Sequence, residues 1–138
     1  MWYYKGSEIK EIEDMPEDTF GFVYLVEHLP SGKKYLGKKV LYFNRKLPPL
    51  KGSKRKRKVT KESDWKTYYG SQKEIKELLV EGKESDFKRE ILKFVKSKKL
   101  LTYFETKYLF IYEVLESDQA FYNDNILGKF YRKDFIDD

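Results

Sequence analysis

Residues 20–40 carry the clearest strand pattern in the chain. The segment 20–27 reads F-G-F-V-Y-L-V-E, and the segment 34–40 reads K-Y-L-G-K-K-V. Both compositions favour β-strands, because β-branched and aromatic side chains fit a pleated, half-buried surface. Between them, H-L-P-S-G at residues 28–32 is typical of a turn. The pattern therefore predicts a β-hairpin.

Helical spacing of apolar residues appears in residues 72–81. A single apolar stripe there is followed by Gly82, which favours the end of a helix, and Ser71 and Glu74 have the spacing of a capping box. Residues 87–95 alternate imperfectly and are interpreted as a third strand, although the pattern alone also allows a helix. These segments predict a short amphipathic helix followed by a strand.

The longest helix is predicted over residues 99–116, which contain neither Gly nor Pro and repeat apolar residues at helical spacing. At about 100° per residue, Glu105 falls inside the apolar sector of this helix. An unpaired, ionised carboxylate in such a position is strongly unfavourable. Glu105 must therefore be paired, protonated or bound to a ligand, and Arg45 and Arg89 are candidate ion-pair partners.

Composition narrows the class of protein. With 138 residues, 17% aromatic residues and no cysteine, the chain has room for one compact domain and cannot form disulfides or zinc–thiolate sites. One histidine and the lack of a Gly-rich phosphate loop argue against thiol, His-triad and multi-His metal chemistry. No stretch approaches the roughly 20 apolar residues that span a bilayer. We expect a soluble protein with no membrane partner.

The positive charge is concentrated in one block. Residues 33–61 contain thirteen basic and no acidic side chains, although the whole chain has a net charge of only +6. Within this block, residues 48–63 show no apolar period and predict a mobile surface loop. Such a block repels itself unless a polyanion neutralises it, and nucleic acid is the commonest polyanionic partner. A solvated basic loop or a localisation tag is the alternative.

These elements predict a small α+β domain, in which a three-stranded antiparallel sheet is flanked by helices and a basic loop is inserted after the hairpin. The domain would span residues 20–127, with the basic insertion at 48–63. Residues 1–19 would form an acidic N-terminal segment, and residues 128–138 a C-terminal tail.

The hairpin carries two motifs that resemble a family signature. F-V-Y at residues 22–24 is followed, after ten residues, by Y-L-G at residues 35–37. This pair is similar to the signature of the GIY-YIG endonucleases, with Phe22 in place of the first Gly. Arg45 follows the second motif at the distance of the family's arginine, and Lys38 follows it as in the bacterial nucleotide-excision-repair incision nuclease.

The resemblance extends to residue 127. Glu105 and Asn123 occur in the order of the family's metal-binding glutamate and terminal asparagine, with Asn125 as the alternative if the turn is shifted by two residues. Pro49 stands where several members have a histidine. The chain is also similar to small stand-alone viral members of the family.

The resemblance implies a metal-dependent DNA endonuclease that leaves 5′-phosphate and 3′-hydroxyl ends. Glu105 would hold one Mg²⁺ or Mn²⁺, because hard cations take oxygen ligands. Tyr24 would be the general base and Tyr35 would orient the water or the phosphate. The metal, Lys38 or Arg45 would lower the pKa of the Tyr24 phenol, which is near 10 when unperturbed.

The remaining implied roles concern the phosphate and the shape of the site. Arg45 would bind the scissile phosphate, because its planar fork can make two hydrogen bonds to one phosphate. Asn123 would fix the site through hydrogen bonds. Trp65, Tyr68 and Tyr69 could stack on a base or wedge the duplex, although such residues more often pack in a core.

Other basic residues are predicted to follow the DNA backbone and to give affinity without base discrimination. They are Lys39, Lys51, Lys54, Arg55, Lys56, Arg57, Lys58 and Lys66. His28 lies in the predicted turn, apart from the other candidates, and is expected to have no role.

Two functions without catalysis stay open. The chain could be a nucleic-acid-binding protein that uses the basic loop, or a basic module that binds an acidic protein.

A single active site cuts one strand per visit, so clean double-strand cleavage would require a homo-oligomer or two sequential events. We expect a cytoplasmic location, in the host cytoplasm if the chain is viral.

Overall fold

The computed structural model describes residues 1–47, 51–52, 54, 57–117 and 120–135. These residues form a five-stranded sheet, two separate two-stranded sheets and two α-helices. In chain order the elements are β1 (Trp2–Tyr4), β2 (Ser7–Ile9), β3 (Gly21–His28), β4 (Lys33–Val40), β5 (Tyr42–Leu47), β6 (Arg57–Glu62), α1 (Lys73–Val80), β7 (Phe87–Val95), α2 (Lys98–Ile111), β8 (Asn125–Ile126) and β9 (Phe130–Tyr131).

The main sheet has the strand order β2-β1-β7-β3-β4, with β1 parallel to β7 and every other pair antiparallel. The prediction of three strands is wrong, because the acidic N-terminal segment adds β1 and β2. Trp2 and Ile9 are buried in the core and hold these strands against β7. Strands of three residues are too short to show a period of two, which explains why the pattern did not indicate them.

The predicted hairpin and third strand are confirmed. In the hairpin, β3 pairs with β4 in a register that sets Tyr24 opposite Gly37. β7 occupies residues 87–95, as predicted, and pairs with the other side of β3. Because β3 is then central, with neighbours on both sides, most of its residues are buried.

Both helices are confirmed with different ends. α1 begins after Gln72, whose side chain accepts a hydrogen bond from the Ile75 N–H at 3.1 Å, so Gln72 caps the helix where Ser71 was predicted to. α2 ends at Ile111, five residues early. Glu113 has a positive φ of 51°, and the chain turns there so that Val114 and Leu115 can enter the core.

The sheet has a hydrophobic cluster on each face. One cluster lies on the α1 side and contains Trp2, Phe22, Tyr24, Val26, Trp65 and Ile75. The other lies on the α2 side and contains Val23, Leu36, Val95, Leu101, Leu109 and Leu115. Alternate residues of β3 supply both clusters, as the period of two requires.

The region predicted as a mobile basic loop is partly a strand. Arg57–Glu62 forms β6 and pairs antiparallel with β5, register Tyr42↔Glu62 to Leu47↔Arg57, in a two-stranded sheet separate from the main one. We call residues 42–62 the arm. The loop prediction is therefore wrong for these six residues, because charged side chains on an exposed ribbon leave no apolar period. Residues 48–50, 53 and 55–56 lie outside the described residues.

Within the described ranges, no helix is long and apolar enough to cross a membrane.

Candidate active site

The candidate site lies along β4, the edge strand of the main sheet. Alternation along β4 sends Tyr35 and Gly37 to the α1 face and Leu36 and Lys38 to the α2 face. An open cleft of about 400 Å³ runs along this edge. Its wall includes Tyr35, Ser71, Gln72, Glu105, Asn123 and Asp124. The edge therefore brings together residues from both faces of the sheet.

Glu105 projects from the middle of α2 into this cleft. Its side chain is 21% exposed, and its Oε1 lies 3.8 Å from Nζ of Lys38. Burial raises the pKa of the Glu105 carboxyl, and the neighbouring Lys38 ammonium opposes part of that increase. Lys38 also donates a 3.2 Å hydrogen bond to the Thr102 hydroxyl, one turn earlier on α2. The ion-pair partner of Glu105 is thus Lys38, which was not among the predicted candidates, and the candidate Arg89 lies elsewhere.

Tyr24 is buried behind the cleft. Its side chain is 1% exposed and packs edge-on against Trp2 and Tyr68. Burial raises the pKa of the Tyr24 phenol well above its ordinary value, and the neighbouring tyrosines Tyr68 and Tyr35 add to the increase. At neutral pH this phenol is therefore un-ionised.

Gly37 makes the position of Tyr24 possible. A Cβ placed on Gly37 would lie 2.5 Å from Oη of Tyr24 and 2.8 Å from its Cζ. The Tyr24 ring crosses the strand at this point, so only a residue without a side chain fits opposite it. Gly70 closes the other side, because a Cβ there would lie 3.1 Å from the Tyr35 ring and 3.3 Å from Oη of Tyr24.

Tyr35 is the tyrosine that lines the cleft. It is half-buried, and its hydroxyl lies 3.4 Å from the Ser71 hydroxyl at the start of the α1 region. Burial raises the pKa of Tyr35, while the Ser71 contact lowers it and the nearby acidic groups Glu105 and Asp124 raise it. Of the two signature tyrosines, Tyr35 is the one that can meet solvent.

Asn123 binds the backbone of β4. Its Oδ1 accepts a 3.0 Å hydrogen bond from the Leu36 N–H, and its Nδ2 donates a 2.9 Å bond to the Leu36 carbonyl. The side chain is buried. Asn125 is exposed and accepts a bond from the Gly128 N–H. The described contacts therefore favour Asn123 over Asn125 as the residue that holds the edge strand.

The segment that carries Asn123 is itself fastened by Arg132. This guanidinium donates hydrogen bonds to four backbone carbonyls, those of Val114, Ser117, Phe121 and Asn123. The predicted C-terminal tail thus contributes a residue that holds the turn beside the cleft.

The sequence of the chain matches the model of a known protein family. The chain matches the family model SegE_GIY-YIG, described as "Putative endonuclease segE, GIY-YIG domain", over residues 2–126. The chain belongs to the GIY-YIG endonuclease family. No curated protein and no solved structure matches it. Because the match begins at Trp2, the GIY-YIG domain of this chain includes β1, which the signature alone did not indicate.

The GIY-YIG arginine predicted at residue 45 lies in the arm. Arg45 is in β5 and pairs with Val59, three positions into a hairpin that starts directly after β4. Arg57 and Lys58 lie in β6, Lys51 and Lys54 are exposed, and Arg55 and Lys56 lie outside the described residues.

Two of the predicted DNA contacts have partners within the protein. Lys39 is 8% exposed; its ammonium contacts the Asp64 carboxylate and lies 3.9 Å from the centre of the Tyr68 ring. Lys66 is exposed and lies 2.6 Å from Glu11 of the acidic segment. For Lys39, burial leaves no surface for a phosphate, so we do not include it among the proposed DNA contacts.

The aromatic cluster after the arm packs mainly inside the GIY-YIG domain. Trp65 is fully buried, and its carbonyl accepts a hydrogen bond from the Trp2 indole. Arg89 is buried between the rings of Trp2 and Tyr69, and donates to the Lys66 and Tyr68 carbonyls. This packing supports the core role of Trp65 and Tyr69. His28 bonds to Ser31 in the turn, away from the cleft.

Sequence reasoning missed Gly70 and Asp124 as neighbours of the site, and it named Tyr68 without its contact with Tyr24. Tyr68 touches Tyr24, Gly70 covers both signature tyrosines, and Asp124 lines the cleft. The Y-Y-G string at residues 68–70 was a signal, because Gly70 has a φ of +104° that favours glycine. Asp124 offered no signal beyond its position next to Asn123.

The donor set in the cleft fits one hydrated hard cation. Among the described residues, no group of three or more acidic or histidine side chains could enclose a metal. Mg²⁺ is usually held by one or two carboxylates and keeps several waters. Glu105 supplies one such carboxylate at the wall of an open cleft, so the residues present suit Mg²⁺ or Mn²⁺ held mostly by water.

Proposed function

We propose that this GIY-YIG domain is a metal-dependent DNA endonuclease that leaves 5′-phosphate and 3′-hydroxyl ends. The observation that carries the proposal is the placement of Glu105, a half-buried carboxylate on the wall of an open cleft that Tyr35 also lines, with Lys38 beside it. In the reaction, a water oxygen bonds to phosphorus, the P–O3′ bond breaks, and the 3′ oxygen leaves with a proton.

Glu105 is proposed to hold a Mg²⁺ or Mn²⁺ ion. Bound there, the metal would supply positive charge for the phosphate oxygens and for the leaving oxygen. The raised pKa of Glu105 supports this role, because burial without a close cation makes its ionised form unfavourable and a cation would relieve that cost. Lys38 at 3.8 Å neutralises it only in part.

The two signature tyrosines, Tyr24 and Tyr35, are proposed to have different roles in the reaction. The family resemblance gives the general-base role to Tyr24, but its hydroxyl is almost fully buried, whereas that of Tyr35 faces the cleft. We therefore assign contact with the attacking water to Tyr35. Tyr24 is assigned a positioning role, in which its ring fills the space over Gly37 and supports Tyr35 and Tyr68.

Basic residues at the edge strand and the arm are proposed to bind the phosphate. Lys38 lies on the surface of β4 within reach of Glu105, and the arm that carries Arg45 starts four residues after Lys38. A guanidinium can share two hydrogen bonds with one phosphate and so offsets its growing charge. Asn123 supports this assembly by holding the Leu36 backbone.

Plasmid cleavage tests the proposal. Supercoiled plasmid is incubated with purified wild type, Glu105→Gln or Glu116→Gln in Mg²⁺, Mn²⁺ or EDTA, and nicked and linear products are followed on a gel. Glu116 is exposed and lies beyond α2, so its variant is a matched control for loss of one carboxylate. We expect wild type and Glu116→Gln to cut only with metal, and Glu105→Gln to bind plasmid without cutting it.

Two results would contradict the proposal. Cleavage by wild type in EDTA would remove the metal from the reaction. A folded wild type that binds plasmid yet cuts no DNA of any tested sequence or modification would favour the non-catalytic nucleic-acid-binding protein. Labelled ends of the products, tested with a ligase that requires a 5′-phosphate and a 3′-hydroxyl, report the chemistry of the cut.

A further inference from the structure

We propose that the outer face of α2 binds the same face of a second copy of this chain. In this dimer the two helices are antiparallel, and Lys107 of each copy lies opposite Glu113 of the other. The dimer goes beyond the proposed nuclease function and does not depend on it.

The outer face of α2 carries exposed apolar side chains. Tyr103 is 58% exposed, Phe110 is 52% exposed, Ile111 is 58% exposed, and Leu100 is exposed as well. At about 100° per residue these four residues lie within a sector of about 100°, on the side of the helix opposite to Glu105. We call them the outer stripe. Because the outer face of a helix in a globular protein is normally polar, the outer stripe has the composition of a second face to be buried.

The hairpin formed by β8 and β9 extends the outer stripe. Phe130 in β9 is 43% exposed, and its ring packs edge-on against the Phe110 ring with the centroids 6.2 Å apart. The two rings also line a shallow cavity of about 180 Å³. Contiguous apolar patches on a protein surface mark contacts with other molecules, and aromatic residues are enriched in protein–protein interfaces. The helix and the hairpin therefore present one apolar surface.

The charges along the outer stripe have opposite signs at its two ends. Lys99 and Lys107 lie on the exposed side of α2, and Glu113 and Glu116 follow after its last turn. The two glutamates line the cavity beside Phe110. All four charged side chains are exposed, and within the described part of the chain none of them forms an ion pair. A surface with a basic half and an acidic half is complementary to a copy of itself.

This distribution of charge selects the antiparallel arrangement. A two-fold axis perpendicular to α2 that passes close to Phe110 sets position 107 of one copy opposite position 113 of the other, because each is three residues from Phe110. The pair of Lys107 and Glu113 then occurs twice, on either side of the two Phe110 rings. A parallel arrangement would set each of these charges against its own kind, which is repulsive.

Other occupants of this face are less complementary to it. An anionic membrane surface attracts basic side chains, but it would repel Glu113 and Glu116 beside Phe110. A purely apolar partner would leave Lys107 without an opposite charge. A second copy supplies an acidic group to each lysine and a basic group to Glu113. Because Glu105 and its cleft lie on the other side of α2, both clefts stay open in the dimer.

Sedimentation equilibrium of the purified chain tests for the dimer. Between about 2 and 200 µM, the range in which interfaces of modest area dissociate, we expect the mass to rise from 16.7 kDa toward twice that value. Phe110→Asp places a charge at the two-fold axis and should weaken the dimer at least about tenfold. The matched control is Val80→Asp, which makes the same change at a fully exposed residue at the end of α1 and should leave the dimer unchanged.

Charge reversal tests the pairing of the helices. Lys107→Glu and Glu113→Lys should each weaken the dimer about tenfold, because each change creates two like-charge pairs. The double variant Lys107→Glu/Glu113→Lys restores opposite charges and should return to within about threefold of the wild-type dissociation constant. Lys76→Glu, an exposed reversal on α1, is the control. Circular dichroism and melting measure whether each variant is folded, and the charge variants decide the outcome if Phe110→Asp does not fold.

A wild type that stays monomeric at every concentration overturns the proposal. So does a dimer that persists in Phe110→Asp, since the contact would then lie elsewhere. A double variant that dimerises no better than the two single variants overturns the antiparallel pairing of Lys107 with Glu113. Plasmid cleavage is measured separately, so a dimer that cuts no DNA contradicts the nuclease proposal alone, and a monomer that cuts DNA contradicts the dimer alone.

Discussion

The phenol of Tyr24 occupies the space that a side chain on Gly37 would need. The two residues are opposite each other in the β3–β4 ladder, and a Cβ on Gly37 would lie 2.5 Å from Oη of Tyr24. The last residue of one signature motif and the last residue of the other are thus a single packing unit. Their spacing in the sequence reflects a cross-strand contact.

Gly37→Ala is expected to destabilise the protein by about 1–3 kcal/mol, the usual cost of overpacking a well-filled core. The Tyr24 ring is held by Trp2 and Tyr68 and has no free space to move into. Chemical denaturation measures the free energy of unfolding. Tyr24→Phe removes Oη, the atom closest to the added methyl group. The double variant Gly37→Ala/Tyr24→Phe should therefore lose less stability than the sum of the losses in the two single variants. Additive losses would show that the two residues do not interact.

Tyr35→Phe and Tyr24→Phe are expected to have different effects on cleavage. Loss of the Tyr35 hydroxyl, which faces the cleft, should lower the rate by about 10²–10⁴-fold. Loss of the buried Tyr24 hydroxyl, which lies behind the cleft, should lower the rate less than about tenfold. Single-turnover plasmid nicking measures both rates, with the exposed Tyr103→Phe as control. The opposite ranking would return the base role to Tyr24.

The pH dependence of cleavage follows from the raised pKa of Tyr35. The phenolate form appears only above the ordinary tyrosine range, near 10. If deprotonated Tyr35 accepts the proton of water, the rate should rise with pH through neutrality and reach no plateau below pH 9. Single-turnover rates between pH 6 and pH 9, in different buffers at one ionic strength, measure this profile. A plateau near pH 7 would point to a group with a much lower pKa.

In the absence of metal, Glu105→Gln is expected to be more stable than wild type at pH 7, and the difference between the two proteins is expected to be smaller at pH 4. Because burial raises the pKa of Glu105 in the folded state, ionisation of this carboxyl destabilises the folded protein. The free energy of unfolding is therefore highest below the unfolded pKa, near 4.3, and decreases as the pH rises through the folded pKa. Glutamine has no such ionisation. Melting temperatures in EDTA at both pH values, against Glu116→Gln, measure the difference.

Metal binding at Glu105 has a readout that does not depend on cleavage. A cation that binds only the folded state stabilises it by about 2.7 kcal/mol when its concentration is one hundred times its Kd. Mg²⁺ should therefore raise the melting temperature of wild type and of Glu116→Gln, and leave that of Glu105→Gln unchanged. An equal rise in all three proteins would place the metal elsewhere.

Asn123→Ala is expected to destabilise the protein by about 1–3 kcal/mol, because it leaves the N–H and the carbonyl of Leu36 without their partner. Asn125→Ala, which removes an exposed bond to Gly128, is the matched control and should cost far less. Hydrogen exchange at the Leu36 amide reports the effect directly. Unchanged protection of that amide in Asn123→Ala would contradict the holding role.

Much of the fold was predictable because its elements are long enough to show a period. The β3–β4 hairpin, β7, α1 and α2 each span eight or more residues with a regular apolar pattern. The strands β1 and β2 have three residues each and were missed. In the arm, the lysines and arginines conceal the strand β6, because a run of charged residues shows no apolar period.

The sequence by itself determined which side chains are available for chemistry and in what order they occur. The chain has no cysteine and one histidine, so the side chains available for catalysis are those of tyrosine, arginine, lysine, glutamate and asparagine. The spacing of the two tyrosine motifs indicated the family. Those facts are local, since the spacing of a hairpin follows from short-range geometry.

Only the tertiary structure decided which of these residues meet. It paired Glu105 with Lys38, buried Lys39 against Asp64, and placed Tyr35 at the cleft and Tyr24 behind it. Each outcome depends on contacts between residues far apart in the chain, at the edge of a sheet of which the sequence indicated three of the five strands. Burial and charge at a site arise from such packing, so they could not be read from spacing alone.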